Sequence, residues 1–203
     1  MRLVNLGYKF EKSTVLLRGE HEFNPGELVH LAGKNGSGKT TILKILAGLL
    51  DDYNGECHFP SNWSTRYVPT NIASTLFLPW YTVQRNIALL VEGASAVSKA
   101  HILGRTFLNS KFDRLLNQPA YTPSAGESAA IAIACAVAAD PYAIILDETL
   151  SYAAPTLAQN MAGVLQEFVK NGRLLIVTGH GEIPFAQEHC RSVRMEDFDA
   201  DAV

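Results

Sequence analysis

Hydrophobic residues along the chain follow two spacings, one typical of buried strands and one typical of helices. Continuous apolar runs bounded by turn residues predict strands at 27–32, 142–147 and 173–178. Apolar residues three or four positions apart predict helices at 40–49, 127–139 and 155–170. Strands and helices that alternate in this way predict an α/β fold with a mostly parallel sheet.

The stretches outside this alternation predict additions to the parallel core. Strands at 2–6 and 14–23, joined through residues 7–12, predict an antiparallel β start, and short strands are expected at 56–59 and 66–68. Residues 82–118 have helical spacing in three pieces, broken near 93–95 and around 109–110 and ended at 117–119. These pieces predict a small helical subdomain.

The segment Gly33-Lys34-Asn35-Gly36-Ser37-Gly38-Lys39-Thr40 matches the phosphate-binding pattern G-x-x-x-x-G-K-[ST] at every fixed position. Its glycines let the backbone adopt positive φ and bring N–H groups close to phosphates. Lys39 is predicted to supply a positive charge for the β- and γ-phosphates, and the Thr40 hydroxyl is placed to ligate Mg²⁺. The alternative is a glycine-rich turn that matches by chance, which the flanking strand and helix disfavour.

We therefore predict that this segment binds a nucleoside triphosphate. The residues predicted to hold it here are Gly33, Asn35, Gly36, Ser37, Gly38, Lys39, Thr40 and Thr41.

Polar residues with catalytic chemistry follow the next two predicted strands. Asp147, at the end of an apolar strand, is predicted to hold Mg²⁺ together with Thr40, and Glu148 to polarise the attacking water. His180 is predicted to hydrogen-bond the γ-phosphate. The predicted catalytic residues are therefore Glu148, His180 and Lys39. Ordinary solvation of a strand end is the alternative for the acidic pair, and a structural role is the alternative for the histidine.

Length and composition narrow the class of protein. The 203 residues, of which 47% are hydrophobic and 18% charged, predict one domain over 1–203. The longest uncharged apolar run, 129–139, is too short to span a membrane, and no secretory signal follows Met1, so we expect a cytoplasmic location. A net charge of −3 gives no electrostatic reason to expect nucleic acid as a partner. The three cysteines are widely separated, which disfavours a disulfide framework or a zinc site.

Residues Pro123-Ser124-Ala125-Gly126-Glu127 resemble the Leu-Ser-Gly-Gly-Gln signature of the ATP-binding cassette (ABC) ATPases. An alanine-rich helix and the strand that ends at Asp147 and Glu148 follow in the family's order, so the resemblance covers nearly the whole chain. It implies a P-loop NTPase fold of ABC type, with a helical subdomain at about 72–126. It also implies ATP and Mg²⁺ as cofactors.

The resemblance implies partners as well. In this family two cassettes pair head to tail, so Ser124 Oγ and the Gly126 N–H are expected to reach the ATP of a second ABC ATPase subunit, in a homodimer or a heterodimer. Tyr8 resembles the aromatic residue that stacks on adenine, with Phe10 as a second candidate and core packing as the alternative for Tyr8. The implied function is that of an ATP-hydrolysing motor subunit, peripheral on the inner face of the cell membrane, whose transmembrane permease subunits are separate chains.

The segment Leu76–Val83 resembles the region where a cassette receives a helix from a membrane subunit. Its apolar and aromatic residues suit a groove for such a helix. An ordinary core segment of the helical subdomain is the alternative.

Several positions depart from the family pattern. Thr70 stands where the family usually has Gln, and Ala154 where it has Asp. Glu127 replaces the last residue of the signature, and like charge near a nucleotide is expected to oppose closure of the dimer. Gly179 lies between Thr178 and His180, so the histidine stands one residue later than in the family pattern. These departures leave open a degenerate cassette that binds nucleotide with little hydrolysis and pairs with another cassette. A soluble ABC ATPase that acts on DNA or ribosomes is a second alternative, which the acidic net charge disfavours.

Overall fold

The computed structural model of the protein describes residues 1–9, 14–179, 183–186 and 190–195. In this part of the chain the strands are β1 Arg2–Lys9, β2 Thr14–Glu22, β3 Leu28–Ala32, β4 Asn54–His58, β5 Thr65–Val68, β6 Ala143–Leu146, β7 Leu174–Val177 and β8 Arg191–Arg194. The helices are α1 Lys39–Leu46, α2 Ile72–Thr75, α3 Val83–Leu90, α4 Ala94–Leu108, α5 Ser110–Leu116, α6 Ala125–Ala138, a 3₁₀ helix Thr149–Tyr152 and α7 Pro155–Lys170.

The strands form two sheets. Five parallel strands lie in the order β5-β6-β7-β3-β8, and β1 pairs antiparallel with both β2 and β4 in a three-stranded sheet. The predicted parallel core with an antiparallel start is therefore confirmed. In the parallel sheet the chain leaves β3, β6 and β7 at the same edge, so the residues after these strands lie close together.

The central strands β6 and β7 are buried on both faces of the parallel sheet, and their successive side chains point to opposite faces. One set of residues from β6 and β7 packs in the cluster that contains α6 and α7: Ile144, Leu146, Leu175 and Val177. The alternate set packs in the cluster that contains α1 and the antiparallel sheet: Ala143, Ile145, Leu174 and Ile176. The continuous apolar runs in the sequence follow from this burial on two sides.

Several predicted boundaries differ from the structure. Helix α1 ends at Leu46 and not at Leu49, because Gly48 adopts a φ of 71° that stops the helix. Strand β1 continues to Lys9, so Tyr8 lies within a strand. Strand β8 was not predicted, since its sequence Arg-Ser-Val-Arg is mostly polar and it lies at the edge of the sheet.

The three helical pieces predicted within 82–118 are present as α3, α4 and α5. With the short α2 they fill the stretch between β5 and α6. No helix among the described residues combines the length and the apolar character that are needed to cross a membrane.

Candidate functional site

The glycine-rich loop connects β3 to α1 and has the predicted backbone conformation at two positions. Gly36 and Gly38 have φ values of 79° and 89°, which residues with a side chain rarely adopt. Gly38 is the N-cap of α1, so the free N–H groups of the first helical turn point away from the helix at this place. The loop and the helix start therefore form a concentrated set of N–H donors that suits an anion.

Lys39 lies over this loop and is only 6% exposed. Its Nζ donates hydrogen bonds to the carbonyl oxygens of Gly33 and Lys34, both at 2.9 Å. Ser37 is also buried, and its Oγ has no hydrogen-bond partner among the described residues. The Lys39 ammonium group and the unpartnered Ser37 hydroxyl are thus both held at the loop, where each is suited to bind phosphate oxygens.

Asp147 is the centre of the site and is 2% exposed. Thr40 Oγ1 donates a hydrogen bond to Asp147 Oδ2 at 2.8 Å, and the Tyr67 hydroxyl donates to the same oxygen at 2.9 Å. Thr178 Oγ1 donates to Asp147 Oδ1 at 3.0 Å. The structure therefore brings together the two residues predicted as metal ligands, Thr40 and Asp147.

The Tyr67 phenol remains a hydrogen-bond donor at physiological pH. Burial raises its pKa well above the ordinary value, and the neighbouring Asp147 carboxylate raises it further.

Glu148 follows directly and has a strained backbone, with φ 54° and ψ 14°. This left-handed conformation is uncommon for a residue with a side chain and turns the chain sharply at the end of β6. Its N–H donates to Thr178 Oγ1 at 3.0 Å, and the residue is half-buried. Glu148 thus lies at the sheet edge next to Asp147, as predicted for a residue that acts on water.

Thr70, which stands where the family resemblance expects Gln, is directed at the backbone of β6. Its Oγ1 donates to the carbonyl oxygen of Asp147 at 2.9 Å. The Thr70 side chain therefore supports Asp147 from its main chain and not from its carboxylate.

The signature segment forms the start of α6. Ser124 is the N-cap, and its Oγ accepts from the Glu127 N–H at 3.4 Å while the Glu127 carboxylate accepts from the Ser124 N–H at 2.7 Å. This capping box starts the helix at Ala125, two residues before the predicted start. The S-x-x-E spacing in the sequence was the signal that could have found it.

The Glu127 carboxylate is paired within the chain. It forms an ion pair with Lys111 of α5, and its side chain is only 10% exposed. The sequence suggested a repulsive charge at this position, but the structure places a compensating cation beside it.

Other predicted residues are positioned as follows. Ser124 is exposed, whereas Gly126 is buried against the 3₁₀ helix, where a Cβ would lie 3.1 Å from the Tyr152 carbonyl oxygen. Tyr8 is partly buried and packs against the cluster that contains α1, so the structure satisfies the core-packing alternative and leaves adenine stacking as a prediction. His180 and Phe10 lie outside the described residues.

Three residues of the site were not assigned a role from the sequence: Tyr67, Thr178 and Lys111. Tyr67 in β5 and Thr178 just after β7 could have been found from topology, because β5 and β7 flank β6 in parallel and therefore bring their ends to Asp147. Lys111 gave no comparable signal, since its contact depends on how α5 packs near the start of α6.

Comparison with known proteins identifies relatives of this chain. A family model described as ABC transporter matches residues 18–151. The aliphatic sulfonates import ATP-binding protein SsuB 1 of Pseudomonas fluorescens is 36% identical over 141 residues, which cover 69% of this chain and 51% of that protein. The zinc import ATP-binding protein ZnuC of Pseudomonas entomophila is 30% identical over 150 residues, which cover 73% of this chain and 55% of that protein. The chain spans about half the length of these two relatives.

Solved structures have the same fold. A structure described as the ATP binding subunit of an ABC transporter has a TM-score of 0.78 at 20% identity, with 97% of this chain and 88% of that chain covered. The dimeric structure of MJ0796, a bacterial ABC transporter cassette, has a TM-score of 0.76 at 20% identity, with 98% and 96% covered. The predicted α/β fold of ABC type is thereby confirmed.

Proposed function

The chain belongs to the ABC transporter family, and from this premise we propose that it is the ATP-binding and ATP-hydrolysing motor subunit of a transporter whose permease subunits are separate chains. We further propose that residues 1–203 act as one cassette with a helical subdomain at about 72–126. The cytoplasmic face of the membrane is the place where such a subunit works.

One observation carries the proposal: the hydrogen bond of 2.8 Å between Thr40 Oγ1 and Asp147 Oδ2. It joins the first turn of α1, which follows the phosphate loop, to the end of β6, 107 residues away in the chain. A hydroxyl and a carboxylate are both hard oxygen ligands, which Mg²⁺ prefers. The donor set therefore fits Mg²⁺, which would neutralise charge on the phosphates.

The chain's own groups have distinct tasks in hydrolysis. The loop N–H groups and Lys39 bind the phosphates and stabilise the negative charge that moves to the leaving group. Glu148, one residue beyond Asp147, orients the attacking water and accepts its proton. His180 remains a proposed contact to the γ-phosphate.

A second cassette is the proposed partner at the nucleotide. Ser124 is exposed at the start of α6, where its hydroxyl and the first N–H groups of the helix can meet an anion from another subunit. Closure of two cassettes on ATP and their reopening after hydrolysis would supply the movement that drives the permease.

A cavity of about 610 Å³ opens onto Thr40 and Asp147, and the surface at its outer rim, next to Leu76, is the proposed place where a permease helix docks. The cavity lies between α1 and residues 69–76, and its lining includes Lys44, Leu49, Leu76 and Asp147. Some residues of the segment Leu76–Val83 fit the core-segment interpretation, and others fit the docking interpretation. Phe77 and Val83 are buried in the core, whereas Leu78, Trp80 and Tyr81 are exposed, and these exposed apolar side chains suit a partner surface.

One observation favours a second candidate function, a cassette that binds nucleotide and dimerises with little hydrolysis. Thr70 has no side-chain amide to offer the water, and its hydroxyl is already bonded to the Asp147 carbonyl oxygen. In that case the productive partner would be a different cassette.

The test is the release of phosphate from Mg-ATP by the purified chain, with ATP affinity measured by calorimetry. The control is Lys39→Ala, which removes the cation of the loop and is expected to abolish Mg-ATP binding. Turnover in the wild type that disappears in Lys39→Ala supports the motor function. Binding without turnover supports the second candidate, and wild-type ATP affinity in Lys39→Ala would contradict the site itself.

A further inference from the structure

Two hydroxyl groups from different elements donate to one oxygen of the central carboxylate. Thr40 of α1 and Tyr67 of β5 both reach Asp147 Oδ2, at 2.8 Å and 2.9 Å. Thr178 holds the other oxygen, Oδ1. Thr40 belongs to the phosphate loop motif, whereas no sequence motif includes the Tyr67 hydroxyl.

The pairing of β5 with β6 fixes the place of Tyr67. The two strands are parallel, Tyr67 lies opposite Ile145, and the Asp147 N–H donates to the Val68 carbonyl oxygen at 3.0 Å. Tyr67 is level with Ile145, two residues before Asp147. Only a long side chain with a donor at its end reaches the Asp147 carboxylate from this position. A phenol does this with few rotatable bonds, so little conformational entropy is lost.

A buried carboxylate keeps its orientation only while its oxygens have partners. Thr40 can serve a cation through the lone pairs of its oxygen, so its part in holding Asp147 depends on the state of the nucleotide site. Thr70 bonds to the main chain of Asp147 and not to its carboxylate. Among the described residues, Tyr67 and Thr178 are therefore the donors that can hold the carboxylate independently of the phosphate loop.

We propose that Tyr67 is a positioning residue that orients the Asp147 carboxylate for Mg²⁺. The proposal rests on the proposed function, since the hydrogen bond from Tyr67 to Asp147 has this role only if the site binds Mg-ATP. Tyr67 acts through Asp147 and does not touch the nucleotide phosphates. Loss of a partner that orients a metal ligand lowers metal affinity about 10- to 100-fold in other sites.

The test measures ATP binding by calorimetry, in Mg²⁺ and in EDTA, for the wild type and for Tyr67→Phe. The variant keeps the ring and removes only the hydroxyl. We expect about tenfold weaker binding of ATP in Mg²⁺, at the low end of the range for such partners, and an unchanged affinity in EDTA. Tyr142→Phe is the matched control, because Tyr142 belongs to the same core cluster but precedes the opposite end of β6.

A double-mutant cycle guards against a purely structural effect. In an Asp147→Asn background, Tyr67→Phe is expected to cause no further loss of Mg²⁺ dependence, because the charged oxygen that it orients is gone. Equal weakening of ATP binding in Mg²⁺ and EDTA, or unchanged binding in both, would overturn the proposal. A wild type whose ATP affinity does not depend on Mg²⁺ would instead contradict the proposed function.

Discussion

Lys111 on α5 forms an ion pair with Glu127 on α6. Glu127 also accepts the Ser124 N–H at 2.7 Å, so a single carboxylate joins the helical region between β5 and α6 to the N-cap of the signature helix. The cation therefore supports the cap as well as neutralising the charge.

We expect Lys111→Met to destabilise the protein by about 1–2 kcal/mol. This is less than the 3–5 kcal/mol of a fully buried pair, because the Lys111 side chain is 58% exposed. The Glu127→Gln/Lys111→Met double variant should recover most of the loss, since an amide can still accept the Ser124 N–H and carries no charge. Denaturant unfolding of both variants measures this. Equal loss in the single and double variants would show that the unpaired charge of Glu127 is not what destabilises Lys111→Met.

Acid should weaken the same pair. Burial by itself raises the pKa of Glu127, but hydrogen bonds from Lys111 and Ser124 outweigh it and lower the pKa below its ordinary value of 4.5. A carboxylate with a lowered pKa contributes stability that is complete above the ordinary value and is lost as the pH falls through the lowered one. The free energy of unfolding should therefore fall more steeply below pH 4.5 in the wild type than in Glu127→Gln. Parallel pH profiles for the two proteins would contradict this contribution.

Glu148→Gln should retain ATP binding and lose hydrolysis. The amide keeps the size of the side chain but cannot accept a proton from water, and general bases contribute about 10²–10⁴-fold to rate. With hydrolysis slowed, an ATP-dependent dimer should persist on size exclusion. Phosphate release at the wild-type rate would remove Glu148 from the reaction.

Gly104→Ala should destabilise the packing of α4 against α5. A Cβ at this position would lie 2.2 Å from Phe112 Cε2, and Phe112 is fully buried, so the ring cannot move away freely. Overpacking of this kind costs about 1–3 kcal/mol.

Gly163→Ala in α7 is the matched control for Gly104→Ala. Nothing lies within 4 Å of its Cβ position, so the higher helix propensity of Ala should stabilise the protein by about 0.5–1 kcal/mol. Thermal unfolding that ranks the two variants in the opposite order would contradict the packing described for Phe112.

The parts of the site that were predictable depend on local sequence and on topology. The loop could be predicted because its glycines, Lys39 and Thr40 stand at fixed positions between a strand and a helix. The meeting of Thr40 with Asp147 followed from a parallel sheet, in which strand ends share an edge.

The parts that were not predictable depend on side-chain reach between distant residues. Tyr67 and Asp147 are 80 positions apart, and their contact needs the phenol length as well as the register of β5 on β6. Lys111 meets Glu127 because of the way two helices pack. The polar β8 could not be recognised from hydrophobicity, because only Val193 of its four residues is buried.

Thr178 uses one hydroxyl for two neighbouring acids, donating to the Asp147 carboxylate and accepting the Glu148 N–H. The carboxylate that is proposed to hold the metal and the main chain of the residue that is proposed to act on water are therefore bonded to one atom, just after β7. A shift of β7 would therefore act on the Asp147 carboxylate and on the Glu148 main chain at the same time. Under the proposed function, the Thr178 hydroxyl would couple the position of the metal ligand to that of the residue that activates water.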